Sequence, residues 1–260
     1  MMNSQTDHRE NVSAVKTPLK PMIEINNLRK AFGTQEVLRN VSLNLYNGEN
    51  LVVLGKSGSG KSVLIKCMVR LLNYDSGTIN VLGNEVSSLS MKELNELRMK
   101  VGFLFQSSAL YDSMTVKQNL EFPLRRINKE LNEKEIDDKI HEVLENVGLA
   151  ESLNKMPSQL SGGMRKRISL ARTIIVDPLI MLYDEPTTGL DPVTSDEISA
   201  LINEVQKKYK TSSIIITHDI ECARATANRV LMLKDGEVYL EGKIEDFNKS
   251  TDPLIKSFFK

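Results

Sequence analysis

The sequence of 260 residues is poor in cysteine, in net charge and in long apolar runs. Its two cysteines, Cys67 and Cys222, lie far apart and form no metal-binding or redox-active spacing, so we expect core-filling thiols in a reducing cytosol. Basic and acidic residues balance at 34 each, which leaves no global charge for nucleic acid or an acidic membrane. No apolar run approaches the length of a membrane-spanning helix, about 20 residues. We therefore expect a soluble chain whose membrane role, if any, is exercised through a partner.

The beginning of the chain lacks the apolar core of a secretory signal and the arginine richness of a transit peptide. Residues 1–21 are polar and show no periodicity, which predicts a flexible extension. Residues 22–260 are long enough for one large α/β domain with an inserted subdomain. The sequence therefore predicts one domain behind a flexible N-terminal segment.

The most informative motif matches G-x-x-x-x-G-K-[ST], a phosphate-binding loop. The apolar run 51–54 before it predicts a buried parallel strand, and the apolar residues after it recur at helical spacing. Glycines allow backbone N–H groups to turn toward a phosphate at the helix N-terminus. Lys61 would reach the β- and γ-phosphates, and the Ser62 hydroxyl would bind Mg²⁺. The predicted phosphate-binding residues are Gly55, Lys56, Ser57, Gly58, Ser59, Gly60, Lys61 and Ser62.

Two further apolar strands end in residues that suit nucleotide hydrolysis. The strand at 180–183 is followed by Asp184 and Glu185, and we expect the first to hold Mg²⁺ through water and the second to act as general base. The strand at 213–216 is followed by His218, at the sheet edge where ligands of parallel sheets bind. His218 could donate to the γ-phosphate, although a single histidine after a strand is more often structural.

Residues 107–176 are predicted to be mainly helical and to form a subdomain inserted between two strands. Gln106 opens this block, and its amide could reach Mg²⁺ or the attacking water. Further along, Ser161, Gly162 and Gly163 precede a basic helix start, which makes a second anion site. The simpler interpretation is an N-cap serine with flexible glycines and a solvated basic face. One chain cannot easily bring two phosphate sites to one nucleotide, whereas two chains arranged head to tail can.

Taken together, these motifs resemble the ATPase subunits of ABC transporters. The resemblance covers about residues 22–260 in the family's order: Gly55–Ser62 (Walker A), Gln106 (Q-loop), Leu160–Met164 (signature), Ile180–Glu185 (Walker B), Thr188–Asp191 (D-loop) and His218 (H-loop). It implies an α/β P-loop NTPase with a mainly parallel core sheet, an antiparallel β subdomain and an inserted helical subdomain. It also implies ATP hydrolysis with Mg²⁺ by a homodimer, in which each ATP lies between one Walker A and the partner's signature.

The resemblance implies a role for two more residues. Phe32 would stack on adenine, where the family often has tyrosine, and the alternative for Phe32 is a place in the core. Asp191 followed by Pro192 is a good helix N-terminus by itself. In the family the same aspartate lies across the dimer interface and helps to position the neighbouring site. The two interpretations of Asp191 are compatible.

Departures from the commonest motifs indicate a subfamily. The signature ends in Met164 instead of glutamine, and the segment that follows Gln106, residues 107–124, resembles that of phospholipid-trafficking ATPases. This implies an integral-membrane permease and a mammalian-cell-entry-type substrate-binding protein as partners, no nucleic acid, and a cytoplasmic location on the inner face of the cytoplasmic membrane. An ABC ATPase for another substrate, or a soluble assembly module of the iron–sulfur-scaffold type, stays an alternative.

Overall fold

The computed structural model describes residues 20–259, so the predicted extension at 1–21 lies outside the described residues except for its last two. The strands are β1 (Ile23–Phe32), β2 (Gln35–Leu45), β3 (Asn50–Leu54), β4 (Ser76–Val81), β5 (Asn84–Glu85), β6 (Val101–Leu104), β7 (Ile180–Asp184), β8 (Ser212–Thr217), β9 (Arg229–Lys234) and β10 (Glu237–Gly242). The α-helices are α1 (Lys61–Met68), α2 (Met91–Met99), α3 (Val116–Ile127), α4 (Glu133–Asn146), α5 (Gly162–Ile174), α6 (Pro192–Tyr209), α7 (Ile220–Thr226), α8 (Ile244–Lys249) and α9 (Pro253–Phe258).

Six strands form the central sheet, in the order β10-β9-β3-β8-β7-β6. The five strands from β9 to β6 run parallel, and β10 pairs antiparallel with β9 at one edge. Strands β3, β7 and β8 are buried at every residue, as expected for parallel strands with both faces covered. Their carboxyl ends meet at one edge, where Asp184 lies opposite Ile216. This edge collects the predicted nucleotide-binding residues.

A second sheet is antiparallel, in the order β2-β1-β4-β5. Alternate residues of β2, namely Val41, Leu43 and Leu45, are buried while their neighbours face outward, which is the pattern of a half-covered strand. Its apolar face shares a cluster with one side of the central sheet and with α1. The predicted α/β class, with a parallel core sheet and an antiparallel sheet, is therefore confirmed.

The chain between β6 and β7 contains α3, α4, α5 and two short 3₁₀ turns, and the structure describes this whole stretch without a strand. Thr115 and Gln118 form a capping box at the start of α3. The apolar residues at helical spacing in α4, Ile136, Ile140, Val143 and Leu144, are all buried, and Gly148 follows that helix at φ 68°, a left-handed conformation that suits glycine. The apolar stripe fixes how α4 packs, and the glycine fixes where it ends.

The two cysteines belong to the interior of the protein, whereas the last helix lies on its surface and packs inward through one residue. Cys67 and Cys222 are both buried, which confirms their core-filling role. Burial raises the pKa of both thiols to about 11, because a thiolate is poorly solvated there. Ile255 of α9 is buried in the cluster that also contains Phe247. Across residues 20–259, no helix combines the length and the apolar character needed to cross a membrane.

Candidate functional site

The phosphate loop, residues 55–62, joins β3 to α1 at the carboxyl edge of the central sheet. Gly58 and Gly60 have φ angles of 81° and 100°, which favour glycine. A Cβ atom on Gly60 would also lie 2.8 Å from Leu38 Cδ2 and 2.9 Å from the carbonyl oxygen of Val37. Glycine at position 60 is therefore needed both for the backbone angle and for the close approach to β2.

Lys61 lies inside this loop with its ammonium group buried. Its Nζ donates to the carbonyl oxygens of Gly55, at 2.7 Å, and Lys56, at 3.2 Å, and lies 3.3 Å from Glu185 Oε1. The Ser59 hydroxyl is buried and finds no hydrogen-bond partner within residues 20–259. A buried cation, an unpartnered hydroxyl and a glycine cradle at a helix N-terminus together fit a polyphosphate.

Ser62 and Asp184 form a hydroxyl–carboxylate pair that fits Mg²⁺. Ser62 Oγ donates to Asp184 Oδ1 at 2.9 Å, and Asp184 ends the buried strand β7. In the part of the chain that the structure describes, no group of three or more His, Cys, Asp or Glu side chains could hold a metal ion. Mg²⁺ commonly takes only one or two protein ligands and completes its shell with phosphates and water, so this pair suits it.

Glu185 is held in an unusual backbone conformation. Its φ of 50° is left-handed, which costs a non-glycine residue about 1–3 kcal/mol, and its N–H donates to the carbonyl of Ile216 at 3.0 Å. Glu185 Oε2 lies 2.8 Å from His218 Nδ1, and it accepts from Thr188 Oγ1 at 3.1 Å and from the His218 N–H at 3.3 Å. The structure thus brings Glu185 and His218 into contact. It also adds Thr188, a D-loop residue for which the sequence predicted no contact with Glu185.

One cleft of about 390 Å³ collects eight of the predicted site residues. Gln106, Glu185 and His218 line it together with residues 57–58 and 60–62 of the phosphate loop. Gln106 follows the end of β6, Glu185 the end of β7 and His218 the end of β8. Three strand ends therefore deliver polar residues to one cavity, as is usual for crevices at the carboxyl ends of parallel strands.

Phe32 lies on the surface and is not part of the core. It ends β1, where its side chain is 48% exposed and its ring centroid lies 5.2 Å from Lys30 Nζ. In the register of β1 and β2 it pairs with Gln35, which lines the cleft. Phe32 itself does not line the cleft, and its predicted contact with adenine stays a prediction.

Asp191 caps α6, as its sequence context predicted. Its Oδ1 accepts from the Thr194 N–H at 3.0 Å and its Oδ2 from Thr194 Oγ1 at 2.6 Å. These hydrogen bonds hold the pKa of the Asp191 carboxyl below its usual value, because they favour the charged form. The side chain is exposed, and its predicted role at a dimer interface stays a prediction.

The signature segment, residues 160–164, begins α5 away from the cleft. Ser161 is the N-cap and accepts from the Met164 N–H at 3.2 Å. A Cβ atom on Gly163 would lie 2.5 Å from Thr194 Cγ2, so glycine is required by the close packing of α5 on α6 and not for flexibility. Among residues 20–259, none of the signature segment lines the cleft. Within one chain the cleft and the signature segment therefore form separate surfaces.

The basic run after the signature is not simply a solvated face. Arg165 is exposed, but Lys166 is only 5% exposed and its Nζ donates to the carbonyl oxygen of Gln106 at 2.6 Å. Burial lowers the pKa of the Lys166 ammonium, and the negative charges of Asp184 and Glu185 act in the opposite direction. The signal was present in the spacing, because position 166 shares a helix face with apolar position 170.

Comparison with known proteins finds a family model and curated relatives that match this chain. A family model described as "ABC transporter" matches residues 38–188 of this chain. The chain is 40% identical over 241 residues to a Mycobacterium tuberculosis protein named "Probable ribonucleotide transport ATP-binding protein mkl", and this match covers 93% of the chain and 67% of that relative.

Two other relatives carry different names. A Clostridium tetani protein named "Methionine import ATP-binding protein MetN" is 37% identical, with 86% of this chain and 70% of the relative covered. "Protein TRIGALACTOSYLDIACYLGLYCEROL 3, chloroplastic" of Arabidopsis thaliana is also 37% identical, with 91% and 73% covered. Two of these three relatives are named as ATP-binding proteins, and the compounds that the three names contain differ.

A solved structure shares the fold. The structure described as "Dimeric Structure of MJ0796, a Bacterial ABC Transporter Cassette" is similar with a TM-score of 0.79 at 33% sequence identity, covering 86% of this chain and 99% of that one. The same cassette in a dimeric post-hydrolysis state bound to ADP and Pi gives a TM-score of 0.78. The similarity therefore extends over nearly the whole of the compared cassette.

Proposed function

The chain belongs to the ABC transporter family as an ATP-binding, ATP-hydrolysing subunit, and from this premise we propose that it energises phospholipid trafficking across or between bacterial envelope membranes. The observation that carries the hydrolytic part is the contact of Glu185 with His218 and Lys61 in one cleft. The phospholipid part is supported by the segment at 107–124 and by a relative whose name contains that of a galactolipid.

Each polar residue of the cleft has a role in this proposal. Lys61 and the loop N–H groups bind the phosphates of ATP, and Mg²⁺ held at Ser62 and Asp184 would neutralise their charge. Glu185, oriented by Thr188 and His218, accepts a proton from the attacking water. Lys61 Nζ lies 3.3 Å from Glu185 Oε1, so a bound phosphate would compete with the Glu185 carboxylate for the ammonium. Once Lys61 binds phosphate, the Glu185 carboxylate is freer to act as a base.

A homodimer would complete the site. The exposed residues Ser161 and Gly162 of one chain would contact the phosphates held by the partner's loop, since they lie outside the cleft of their own chain. Asp191, exposed at the start of α6, would lie at this interface, and Phe32 would stack on adenine. ATP closes such a dimer only to the extent that it binds the closed form better than the open one.

The helical segment at 107–176 is proposed as the subdomain that contacts a membrane permease on the inner face of the cytoplasmic membrane. A groove of about 490 Å³ lies beside it and is lined by Phe103, Phe105 and Tyr111. The rings of Tyr111 and Phe122 are both substantially exposed and meet edge to face at 5.4 Å. A groove lined by aromatic rings and by polar residues such as Arg172, with the exposed ring pair beside it, suits an amphipathic helix of a partner. A mammalian-cell-entry-type binding protein as a further partner stays a prediction from the sequence.

The test is transport itself. A tagged chain is purified with the membrane permease that accompanies it, reconstituted in vesicles, and followed with fluorescent phosphatidylethanolamine in the presence of ATP. We expect lipid transfer that needs ATP and that stops with non-hydrolysable nucleotide. Stimulation of ATP hydrolysis by methionine or by ribonucleotides without any lipid transfer would instead assign the chain to a substrate named for its other relatives. ATP hydrolysis with no permease in the purified material would favour a soluble assembly module.

A further inference from the structure

One face of α5 is bound to the loop that carries Gln106, residues 105–115. Side chains three residues apart on a helix lie on the same face, and three such side chains each donate to a main-chain carbonyl of this loop. The bonds are Lys166 Nζ to Gln106 at 2.6 Å, Ser169 Oγ to Ser108 at 2.5 Å and Arg172 Nη1 to Ala109 at 2.5 Å. The first half of the loop is therefore hydrogen-bonded to α5.

The loop backbone needs this support. Ser108 and Ala109 have φ angles of 64° and 49°, so two consecutive non-glycine residues are left-handed. L-residues disfavour this conformation because Cβ crowds the neighbouring carbonyl oxygen. The carbonyls that Ser169 and Arg172 bind belong to these two residues. Strain of this kind persists only where surrounding contacts over-determine it.

The second half of the loop is bound to α3. The side chain of Asn119 is fully buried and accepts from the Tyr111 N–H at 2.8 Å. Its amide nitrogen lies 3.0 to 3.1 Å from the carbonyl oxygens of Tyr111, Met114 and Thr115. Both halves of the loop are thus fixed to helices of the segment between β6 and β7.

We propose that Lys166 is a positioning residue for Gln106, and that together with the two other donors on α5 it fixes the backbone that carries the Gln106 side chain. Helix α5 begins within the signature at Gly162, and one turn later Lys166 binds the carbonyl of Gln106 itself. The part that Gln106 plays in hydrolysis rests on the proposed function, whereas the hold of Lys166 on its backbone does not.

Lys166 is suited to this task by its isolation. The bond from its Nζ to Gln106 is the one side-chain hydrogen bond that it makes to residues 20–259, and the side chain is almost fully buried. A buried ammonium with one acceptor holds that acceptor firmly, because breaking the bond would leave the ammonium without a hydrogen-bond acceptor.

The test compares Lys166→Met with Arg167→Met in the full-length chain. Arg167 is the next residue on α5, and it donates to the Val147 carbonyl and pairs with Glu197, so its loss removes a charge without touching the loop. For Lys166→Met we expect faster amide exchange in residues 107–110, unchanged exchange in β3, and about a tenfold fall in kcat with little change in KM for ATP. Arg167→Met is expected to alter none of these.

Lys166→Gln keeps a neutral hydrogen-bond donor on a side chain that is one atom shorter. Relative to Lys166→Met, we expect both its kcat and the amide exchange rate of its loop to lie closer to the values of the unmodified chain. Loss of kcat without faster loop exchange, or faster exchange without loss of kcat, would overturn the positioning role. If Lys166→Met does not fold, Arg172→Met is tested instead. Unchanged amide hydrogen exchange at residues 109–111 in that variant would refute the proposal that α5 fixes the loop. The exchange is measured without ATP or permease, so a failure of the transport proposal leaves it unaffected.

Discussion

The carboxyl edge of the central sheet and the start of α5 both suit phosphate, yet they are built differently. At the sheet edge the charged groups are already paired within the chain, Lys61 with Glu185, Ser62 with Asp184 and Glu185 with His218. At the signature, Ser161 and Gly162 are exposed, and the shape of the segment is set by packing on α6. The first region is a cleft whose groups contact one another within the chain, and the second is an exposed surface outside that cleft.

The largest effect is expected at the sheet edge, from Glu185→Gln. Removal of a general base lowers turnover by about 10²–10⁴-fold, while ATP binding through the phosphate loop remains. The measurements are the ATPase rate, nucleotide binding and the dimer fraction in size-exclusion chromatography. We expect the dimer fraction of this variant to rise when ATP is added.

Glu197→Gln is the matched control, because Glu197 is an exposed carboxylate on α6 that pairs with Arg167 outside the cleft. Normal hydrolysis by Glu185→Gln would show that the general base is another group. The sheet edge could then no longer be distinguished from the signature segment by its catalytic carboxylate.

The signature is expected to respond to shape instead of charge. Gly163→Ala places a Cβ atom 2.5 Å from Thr194 Cγ2 and should destabilise the chain by about 1–3 kcal/mol, as overpacking does. Gly162→Ala is the control, because its Cβ atom would lie 3.6 Å from Leu190, an ordinary contact. Urea unfolding measures both.

The double variant Gly163→Ala, Thr194→Ser removes the opposing methyl group and is expected to recover part of the lost stability. Equal midpoints for the two alanine variants would mean that the packing of α5 on α6 does not explain the glycine.

A third prediction concerns a surface that belongs to neither region, the groove beside the helical segment. Tyr111→Ala removes an exposed ring of the groove and should weaken permease association by about tenfold, as loss of an aromatic anchor does, with ATP binding unchanged. Pull-down with the tagged chain measures it. Met91→Ala, at an exposed residue of α2, is the control. Undiminished permease recovery with Tyr111→Ala would remove the groove from the proposal.

The smallest effect is expected at Asp191, where the two regions adjoin. Asp191→Ala loses the cap and should lower Tm by about 2–4 °C, whereas Asp191→Asn keeps it. Because the folded pKa of Asp191 is lowered, its stabilisation is present above the ordinary value of 3.8 and is lost as pH falls through the folded value. Thermal melting at neutral and at acidic pH measures both effects. Weaker ATP-dependent dimerisation of the stable Asp191→Asn would support the interface role, and unchanged dimerisation would limit Asp191 to capping.

The comparison also separates what could be predicted from what could not. The phosphate loop, the strand that ends in Asp184 and the capping box at Thr115 were predictable, because each depends on residues within a few positions of one another. The reason for Gly163 was not, since its neighbour Thr194 lies on another helix. Nor was the burial of Lys166, whose acceptor is 60 residues away in the chain.

The sequence by itself determined the elements of this protein and the chemistry of its strand ends, because hydrophobic period, turn residues and loop motifs act locally. Only the tertiary structure decided which of those ends meet. The register of β7 and β8 brings Glu185 to His218 across 33 residues, and the packing of α5 turns a lysine of a basic run into the support of Gln106. Such contacts depend on how whole elements pack, and no short stretch of sequence specifies that.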